Sequence, residues 1–358
     1  MKDLHGGNIY KFQREGKNDI LDYSSNINPL GVPQKFIDIA KESFDKLVNY
    51  PDPYYIDLSK KIAEFNSLDL SNIIVGNGAT EILFLYLKAL KPKKVLILAP
   101  CFAEYERALK SVSAEINYFE LKESNNFYPN IENLKKEIET NNYDLLLFCN
   151  PNNPTGQFIK LEDIKEVVEA CENKNTKIFV DEAFIEFIEN WHEKTVSLFR
   201  NKSIFIMRAF TKFFAIPGLR LGYGIGFDEE ILNKMWDEKE PWTVNTFANL
   251  AGLVMLDDKE YIEKSEKWIL EEKKFMYKEL SEFQYLKAYK TECNFILLKI
   301  QNISSASLRD KMIEKNILIR DASNFKFLDY HFVRLAIKDR ESNIKVLEAL
   351  ADIMEYRG

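Results

Sequence analysis

The sequence has few cysteines, no long hydrophobic run and no concentration of basic residues. Its four cysteines lie far apart in 358 residues, with no C-x-x-C pair, which argues against a disulfide-stapled scaffold or a metal site and makes a reducing, cytoplasmic location the simplest expectation. The longest apolar run, residues 95–103, contains Pro100 and is about half of the ~20 residues that a membrane-spanning helix needs. The N-terminus has no apolar stretch behind Lys2, so we expect no signal peptide and no membrane partner.

The overall charge also narrows the range of partners. The formal net charge is -7, and the lysines and arginines are scattered, so no nucleic-acid partner is expected. Hydrophobic residues make up 46% and charged residues 29%, which is typical of a chain that buries a large core. The length favours two α/β-type domains.

Short β-branched runs alternate with helical stretches through the first two thirds of the chain. We predict strands at 72–75, 94–99, 115–119, 144–149, 177–180, 203–208 and 222–226. This alternation predicts an α/β fold in which a large, mostly parallel sheet is sandwiched by helices.

After residue 227 the pattern changes to amphipathic helices, predicted at 228–240 and 242–282. A smaller α+β unit follows, with strands at 294–299, 317–320 and 331–336 and helices at 305–315 and 341–355. We therefore predict an N-terminal arm lining the active site (1–33), a large domain (34–235) and a small C-terminal domain (236–358).

Lys212 is the first candidate for chemistry. It follows a predicted strand and is flanked by Phe210, Phe213 and Phe214, and an amine in apolar surroundings has a lowered pKa and becomes a nucleophile. Taken alone, such a lysine is more often a surface residue with a buried stem.

Two polar residues are expected beside Lys212. Asp181 ends one predicted strand and Asn153 follows another, and ligands bind at the carboxyl ends of strands in open parallel sheets. A carboxylate and a lysine at one ligand suggest pyridoxal 5'-phosphate, with its ring nitrogen on Asp181 and its aldehyde carbon on Lys212. Asp181 alone would more often be a helix cap or turn residue.

A glycine-rich turn, Gly76-Asn-Gly-Ala-Thr80, follows a strand and opens a helix. Free backbone N–H groups and the helix dipole favour an anion there, although a short turn of this kind is weak evidence by itself. Thr211 and Arg220 could complete this phosphate site.

Three motifs together carry a specific resemblance. NPNNPTG (150–156), DEAFIEF (181–187) and TKFFAIPGLRLGY (211–223) resemble fold type I pyridoxal-phosphate enzymes of the class I/II aminotransferase family. The resemblance implies a homodimer with shared active sites, in which Lys212 bonds the cofactor, Asp181 pairs with its ring nitrogen and Asn153 binds its ring hydroxyl. It also implies ring stacking by Phe102 and a phosphate site made of Gly78, Ala79, Thr80, Thr211 and Arg220, joined by Tyr50 of the other subunit.

The ends of the chain narrow the resemblance. HGGN (5–8), DYSSNINPLG (22–31), LIRDASNF (318–325) and FVRLAIKDRESN (332–343) are most similar to threonine-phosphate decarboxylases. This implies a carboxy-lyase (a decarboxylating lyase) that turns O-phospho-L-threonine into 1-aminopropan-2-yl phosphate, or O-phospho-L-serine into ethanolamine phosphate, for the cobamide nucleotide loop in cobalamin biosynthesis. The alternative is a histidinol-phosphate-type aminotransferase, which shares the core motifs.

The same resemblance implies the substrate site. His5, Asn28 and Asn153 would line the pocket, Arg334 would bind the substrate carboxylate and Arg320 its phosphate. Lys212 or Tyr223 would return a proton to the substrate.

Two positions depart from the aminotransferase pattern. Phe184 stands where many relatives have tyrosine, which favours the decarboxylase, and Ala209 stands where serine or threonine is common. The missing hydroxyl at Ala209 would weaken phosphate binding by about 1 kcal/mol.

Overall fold

The structure, a computed structural model, describes residues 5–354. Its strands are β1 (Leu21–Asp22), β2 (Ile73–Gly76), β3 (Lys94–Ala99), β4 (Glu115–Glu120), β5 (Leu145–Cys149), β6 (Lys177–Asp181), β7 (Ile204–Ala209), β8 (Gly222–Gly226), β9 (Leu286–Ala288), β10 (Phe295–Ile300), β11 (Ile317–Leu318), β12 (Arg320–Asp321) and β13 (Phe332–Ala336).

The α-helices are α1 (Ile9–Arg14), α2 (Gln34–Lys41), α3 (Ile56–Phe65), α4 (Ala79–Leu90), α5 (Glu104–Ser111), α6 (Ile131–Thr140), α7 (Leu161–Asn173), α8 (Phe210–Phe213), α9 (Glu229–Glu238), α10 (Thr246–Met255), α11 (Lys259–Ser281), α12 (Ser305–Glu314) and α13 (Arg340–Ile353). Within residues 5–354, no helix combines the length and apolarity needed to cross a bilayer.

The large sheet has the strand order β2-β8-β7-β6-β5-β3-β4. All neighbouring pairs are parallel except those made by β8, which runs antiparallel to β2 and β7. Strands β5 and β7 are buried along their whole length, since helices cover both faces of the sheet. The predicted α/β fold with a mostly parallel sheet is confirmed.

A second sheet, of order β12-β13-β10-β9, is antiparallel. The arm is hydrogen-bonded to this part of the chain, because β1 pairs with β11 in parallel. The predicted α+β layout is therefore present, while the domain boundaries at 33/34 and 235/236 stay predictions.

The predicted helix over 242–282 is wrong as a single element. The chain forms α10 and α11 with a break at residues 256–258, where the Asp258 side chain accepts a hydrogen bond from the Tyr261 backbone N–H and caps α11. An N-cap aspartate of this kind starts a new helix. The predicted strand 317–320 is likewise two short strands, β11 and β12.

Candidate active site

A cavity of about 400 Å³ lies where the carboxyl ends of β5, β6 and β7 face β12 and β13. The parallel strands bring residues from distant loops to one edge of the sheet. The sequence-predicted residues that line this cavity are His5, Ala79, Thr80, Phe102, Asn153, Asp181, Thr211, Lys212, Arg220, Arg320 and Arg334.

Lys212 lies in α8, directly after β7. Burial, followed by the positive charges of Arg334 and Arg220, lowers the pKa of Lys212 to about 8. About a tenth of the amine is therefore neutral at pH 7, far more than for an ordinary lysine, and the neutral form is the one that attacks a carbonyl carbon.

Asp181 ends β6 and is held by two hydrogen bonds. Tyr105 Oη donates to Asp181 Oδ2 at 2.5 Å, and the Ala183 backbone N–H donates to Oδ1 at 2.9 Å. Burial raises the pKa of Asp181 to about 6, while the Tyr105 hydrogen bond opposes that rise. The carboxyl group is thus fixed in orientation and ionised near neutral pH, as a partner for a protonated ring nitrogen must be.

An anion site lies at the start of α4. Gly78 has a φ of +80° and precedes the helix, and a Cβ there would lie 2.4 Å from Arg220 Nη2. A Cβ on Gly222 would lie 2.3 Å from the Ala79 backbone nitrogen. The two glycines therefore let a guanidinium and a β-strand approach the helix N-terminus closely, where the dipole favours negative charge.

Two buried arginines face each other across neighbouring strands. Arg320 of β12 is the register partner of Arg334 of β13. Arg334 donates to Asn153 Oδ1 and, at 2.7 Å, to the Ser24 carbonyl oxygen, but its Nε is buried without a partner among the described residues. Like charges placed opposite each other destabilise a sheet, so this pair favours an anion between them.

Burial, reinforced by the charge of Arg320, lowers the pKa of Arg334 to about 9. Arg320 donates to Asn324 Oδ1 at 2.8 Å and its guanidinium lies 5.2 Å from the centre of the Phe325 ring. Both arginines therefore present positive charge to the cavity from fixed positions.

Of the predicted pocket residues His5 and Asn28, the structure places only His5 in the cavity wall. The His5 ring lines the cavity, with its Nε2 2.8 Å from Glu104 Oε1. The prediction that Asn28 lines the substrate pocket is corrected, because Asn28 lies outside the cavity. Its side-chain amide donates to Phe213 O and Ser265 Oγ. The Asn28 backbone N–H also donates to the Lys212 carbonyl oxygen at 3.1 Å, so Asn28 supports the turn that carries the lysine.

The prediction that Tyr223 could return a proton to the substrate is also corrected. Side chains alternate between the two faces of a strand, and the neighbouring Gly222 faces Ala79, so Tyr223 points to the opposite face of the sheet. There its ring packs against Phe210 and its hydroxyl accepts from Asn66 Nδ2 at 3.3 Å. Tyr223 is therefore not positioned to move a proton in the cavity.

The remaining predicted positions have clear locations. Phe184 and Ala209 both line the cavity, so the phenol and hydroxyl that they replace would have pointed into it. Tyr50 is exposed and stacks on Trp242, with ring centres 4.8 Å apart, outside the cavity of its own chain. Its contribution to the other subunit's site stays a prediction.

Sequence reasoning missed Tyr105 and Glu104. Both lie within three residues of Phe102, at the start of α5. The rings of Phe102 and Tyr105 pack edge to face, with their centres 5.7 Å apart. Phe102 lies before α5 begins at Glu104, so helical spacing does not link it to Tyr105, and no local pattern indicated that the phenol would contact Asp181. No signal in the sequence indicated that a glutamate would line a cavity rich in positive charge.

Comparison with known proteins identifies the relatives of this arrangement. The family model described as "Aminotransferase class I and II" matches residues 18–350. A protein of Caldanaerobacter subterraneus subsp. tengcongensis, named provisionally as a threonine-phosphate decarboxylase, is 44% identical over 353 residues, covering 98% of this chain and 94% of that protein. The threonine-phosphate decarboxylase of Salmonella typhimurium is 34% identical over 353 residues, covering 98% of this chain and 96% of the relative.

A solved structure of an aminotransferase is also similar to this chain. The crystal structure of the histidinol-phosphate aminotransferase from Clostridium acetobutylicum superposes with a TM-score of 0.87 at 38% identity, covering 93% of this chain and 99% of that one. The chain thus resembles decarboxylases and aminotransferases over nearly its whole length.

Proposed function

Because the chain belongs to the class I and II aminotransferase family, we propose that it decarboxylates an O-phospho-L-amino acid. The cofactor of this family is pyridoxal 5'-phosphate, and a substrate with both a carboxylate and a phosphate carries two anionic groups. The observation that supports this substrate class is the opposed pair Arg320 and Arg334, with the unpartnered Arg334 Nε beside Lys212 in one cavity.

The residues present fit the cofactor. Arg220, the Thr211 hydroxyl and the N-terminus of α4 would hold its phosphate, Asp181 its ring nitrogen and Lys212 its aldehyde carbon. Phe102 would cover one face of the ring. When bound, the cofactor supplies an electron sink for the electron pair left by a bond broken at the substrate α carbon.

The two arginines would hold the substrate at both ends. Arg334 would bind the carboxylate with its planar fork, and Arg320 would lie near the phosphate. Two fixed anion contacts would set the rotation about the substrate α carbon, and with it which bond at that carbon is placed to break. Reaction choice is therefore a matter of orientation.

Proton transfer falls to Lys212. In decarboxylation the bond from the α carbon to the carboxylate breaks, carbon dioxide leaves and a proton is added to the α carbon. Of the two predicted proton carriers, Lys212 is the one that lines the cavity, because Tyr223 lies on the other face of the sheet.

Transamination is the second candidate, favoured by the 38% identity to the Clostridium acetobutylicum aminotransferase. The same residues serve both reactions, because Lys212 would then remove the α proton instead. The absence of a phenol at Phe184 supports the decarboxylase, since many aminotransferases of the resemblance carry tyrosine there.

Product analysis separates the two. The cofactor-loaded protein is incubated with O-phospho-L-threonine, with O-phospho-L-serine, and with glutamate plus imidazole acetol phosphate, and the products are measured by mass spectrometry. Amine phosphate without a keto acid supports the proposal, whereas 2-oxoglutarate from glutamate would overturn it. The substrates phosphothreonine and phosphoserine differ by one methyl group, worth about 1–3 kcal/mol.

The exposed apolar surface supports a homodimer. Large apolar side chains within residues 44–56 are exposed, and they continue into Trp242 through its contact with Tyr50. Exposed patches of this kind usually mark a protein interface. Sedimentation at micromolar concentration should give a dimer, and a monomer would contradict this assembly.

A further inference from the structure

Glu104 is a buried carboxylate in the wall of a cavity proposed to receive anions. Its exposed fraction is 7%, and it lines the same cavity as Lys212, Arg320 and Arg334. A fixed negative charge repels an anionic substrate unless a positive partner offsets it. The position of Glu104 therefore needs an explanation that the cofactor and the two arginines do not supply.

Two side chains contact the Glu104 carboxylate. His5 Nε2 lies 2.8 Å from Oε1, and Arg107 Nη1 lies 3.3 Å from Oε2. The His5 contact is shorter, and the His5 side chain is 45% exposed against 74% for Arg107, so solvent weakens the Arg107 contact more. An ionised carboxylate only accepts, so Nε2 carries the donating N–H and Nδ1 is the ring nitrogen that can meet a ligand.

The backbone around His5 is also fixed. We call residues 5–8 the N-terminal strap. A Cβ on Gly6 would lie 2.1 Å from the Ser24 carbonyl oxygen, and the Gly7 N–H donates to Ser24 Oγ at 2.7 Å. The same Ser24 carbonyl accepts from Arg334, so the strap rests on a residue that also holds an anion-binding arginine.

The geometry points to Glu104 as a positioning residue for the substrate phosphate, acting through His5; this rests on the proposed phosphorylated substrate. Glu104 fixes the rotation of the imidazole, and packing of the His5 ring on Phe102, with centres 5.5 Å apart, limits it further. Nδ1 then meets the phosphate either as a donor from a protonated ring or as an acceptor from a phosphate hydroxyl.

A purely structural role makes a different prediction. Glu104 is the first residue of α5, and an acid in the first turn stabilises a helix through its dipole. Glu106 lies in the same turn, contacts Lys110 at 3.2 Å and Tyr118, and does not line the cavity, so Glu106→Gln is a control for a first-turn acid outside the site. A helix-end role would give both variants a small loss of thermal stability and unchanged kinetics.

The test compares Glu104→Gln, Glu106→Gln, His5→Ala and the double variant His5→Ala/Glu104→Gln as cofactor-loaded enzymes. For O-phospho-L-threonine we expect Glu104→Gln to raise KM roughly tenfold with a much smaller change in kcat. The inhibition constant of L-threonine, which lacks the phosphate, should stay within about twofold of wild type. In His5→Ala, adding Glu104→Gln should have little further effect, because Glu104 acts through the ring.

Two results would overturn the inference: a Glu104→Gln enzyme that matches Glu106→Gln, or equal losses for the phosphorylated and unphosphorylated ligands. Failure of the proposed function is recognised separately, by the absence of carbon dioxide release from the wild-type enzyme. Binding of both ligands is also followed through the cofactor absorbance, so the ratio of their affinities still tests Glu104 without turnover.

Discussion

Two buried arginines, Arg334 of β13 in the second sheet and Arg208 of β7 in the large sheet, differ in how well they are partnered. On the cavity side, Arg334 has an Nε without a partner among the described residues and faces a second arginine. On the rear side, Arg208 donates from Nε and Nη2 to Glu182 at 3.0 and 2.8 Å, and to Asn66 from Nη1. A buried charge with an unpaired donor favours a ligand site, whereas a fully paired one indicates a structural role.

The alternation of strand residues produces this division. Asp181 faces the cavity while the next residue, Glu182, faces the rear, and Ala209 faces the cavity while Arg208 faces the rear. Thr195 Oγ1 donates to Glu182 and accepts from Arg208, and Arg208 lies over the Trp191 ring. We call Arg208, Glu182, Asn66 and Thr195 the rear network.

The largest expected effect comes from breaking the rear network. Arg208→Met would leave the Glu182 carboxylate buried without its charge partner, which costs about 3–5 kcal/mol. Urea unfolding of the apoenzyme should show this loss. The control Arg309→Met removes an exposed ion pair with Asp310 and a 3.8 Å pair with Asp321, and it should cost less than about 1 kcal/mol. Equal losses in the two variants would mean that the rear network is not structural.

The same substitution on the cavity side should affect binding instead. Arg334→Met is expected to change the free energy of unfolding little, because burial already disfavours the charge, and to raise KM for O-phospho-L-threonine roughly 10–100-fold. Arg334→Lys keeps the charge but loses the two-pronged contact, so it should recover only part of the affinity. A strongly destabilised Arg334→Met protein with normal KM would show that Arg334 stabilises the fold and does not bind the substrate.

Tyr105 lies on the cavity side and donates a hydrogen bond to Asp181, the proposed partner of the cofactor ring nitrogen. Tyr105→Phe removes a hydrogen bond that lowers the pKa of Asp181, so that pKa should rise further above about 6 and the apoenzyme should bind pyridoxal phosphate roughly tenfold more weakly at neutral pH. Fluorescence titration of the apoenzyme measures this affinity.

Tyr143→Phe is the matched control for Tyr105→Phe. Tyr143 Oη donates to Glu137 at 2.7 Å, in a tyrosine–carboxylate bond away from the cavity. The control should bind the cofactor like the wild type, and identical affinities in both variants would show that Tyr105 has no influence on Asp181.

Glu186 is an exception near the rear network and has an effect on stability that depends on pH. Its Oε2 has no partner among the described residues, and burial raises its pKa to about 7 despite the charge of Arg208. The folded state thus binds this proton more tightly than the unfolded state, whose pKa is near 4.5. The resulting stability is fully present below pH 4.5 and is lost as the pH rises through about 7.

Glu186→Gln should remove this pH dependence. Relative to wild type, its free energy of unfolding should increase by about 2–3 kcal/mol between pH 4.5 and pH 7. Asp181, whose pKa is also raised by burial, changes stability in the same direction but is present in both proteins. Parallel stability curves over this range would contradict the assignment.

The sequence predicted the parts of this picture that depend on local pattern. The buried β-branched runs located the strands of the large sheet, and the order of motifs placed Lys212, Asp181 and Asn153 at one edge of it. The resemblance at the chain ends also placed Arg320 and Arg334 in the cavity.

The rest depends on which way side chains point and on contacts between distant residues. Tyr223 and Asn28 are close in sequence to residues that line the cavity, but their side chains point away from it. Strand alternation turns Tyr223 to the other face of the sheet, and the hydrogen bond to Ser265 holds Asn28. The bond from Glu104 to His5 joins residues 99 positions apart, and no local pattern encodes such a pair.

The most direct test is a single reaction of the cofactor-loaded protein with O-phospho-L-threonine in deuterium oxide, without a keto acid. The account predicts one carbon dioxide per molecule of 1-aminopropan-2-yl phosphate, with one solvent deuterium on the carbon that lost the carboxylate. A keto acid formed from the substrate while its carboxylate is retained would contradict it.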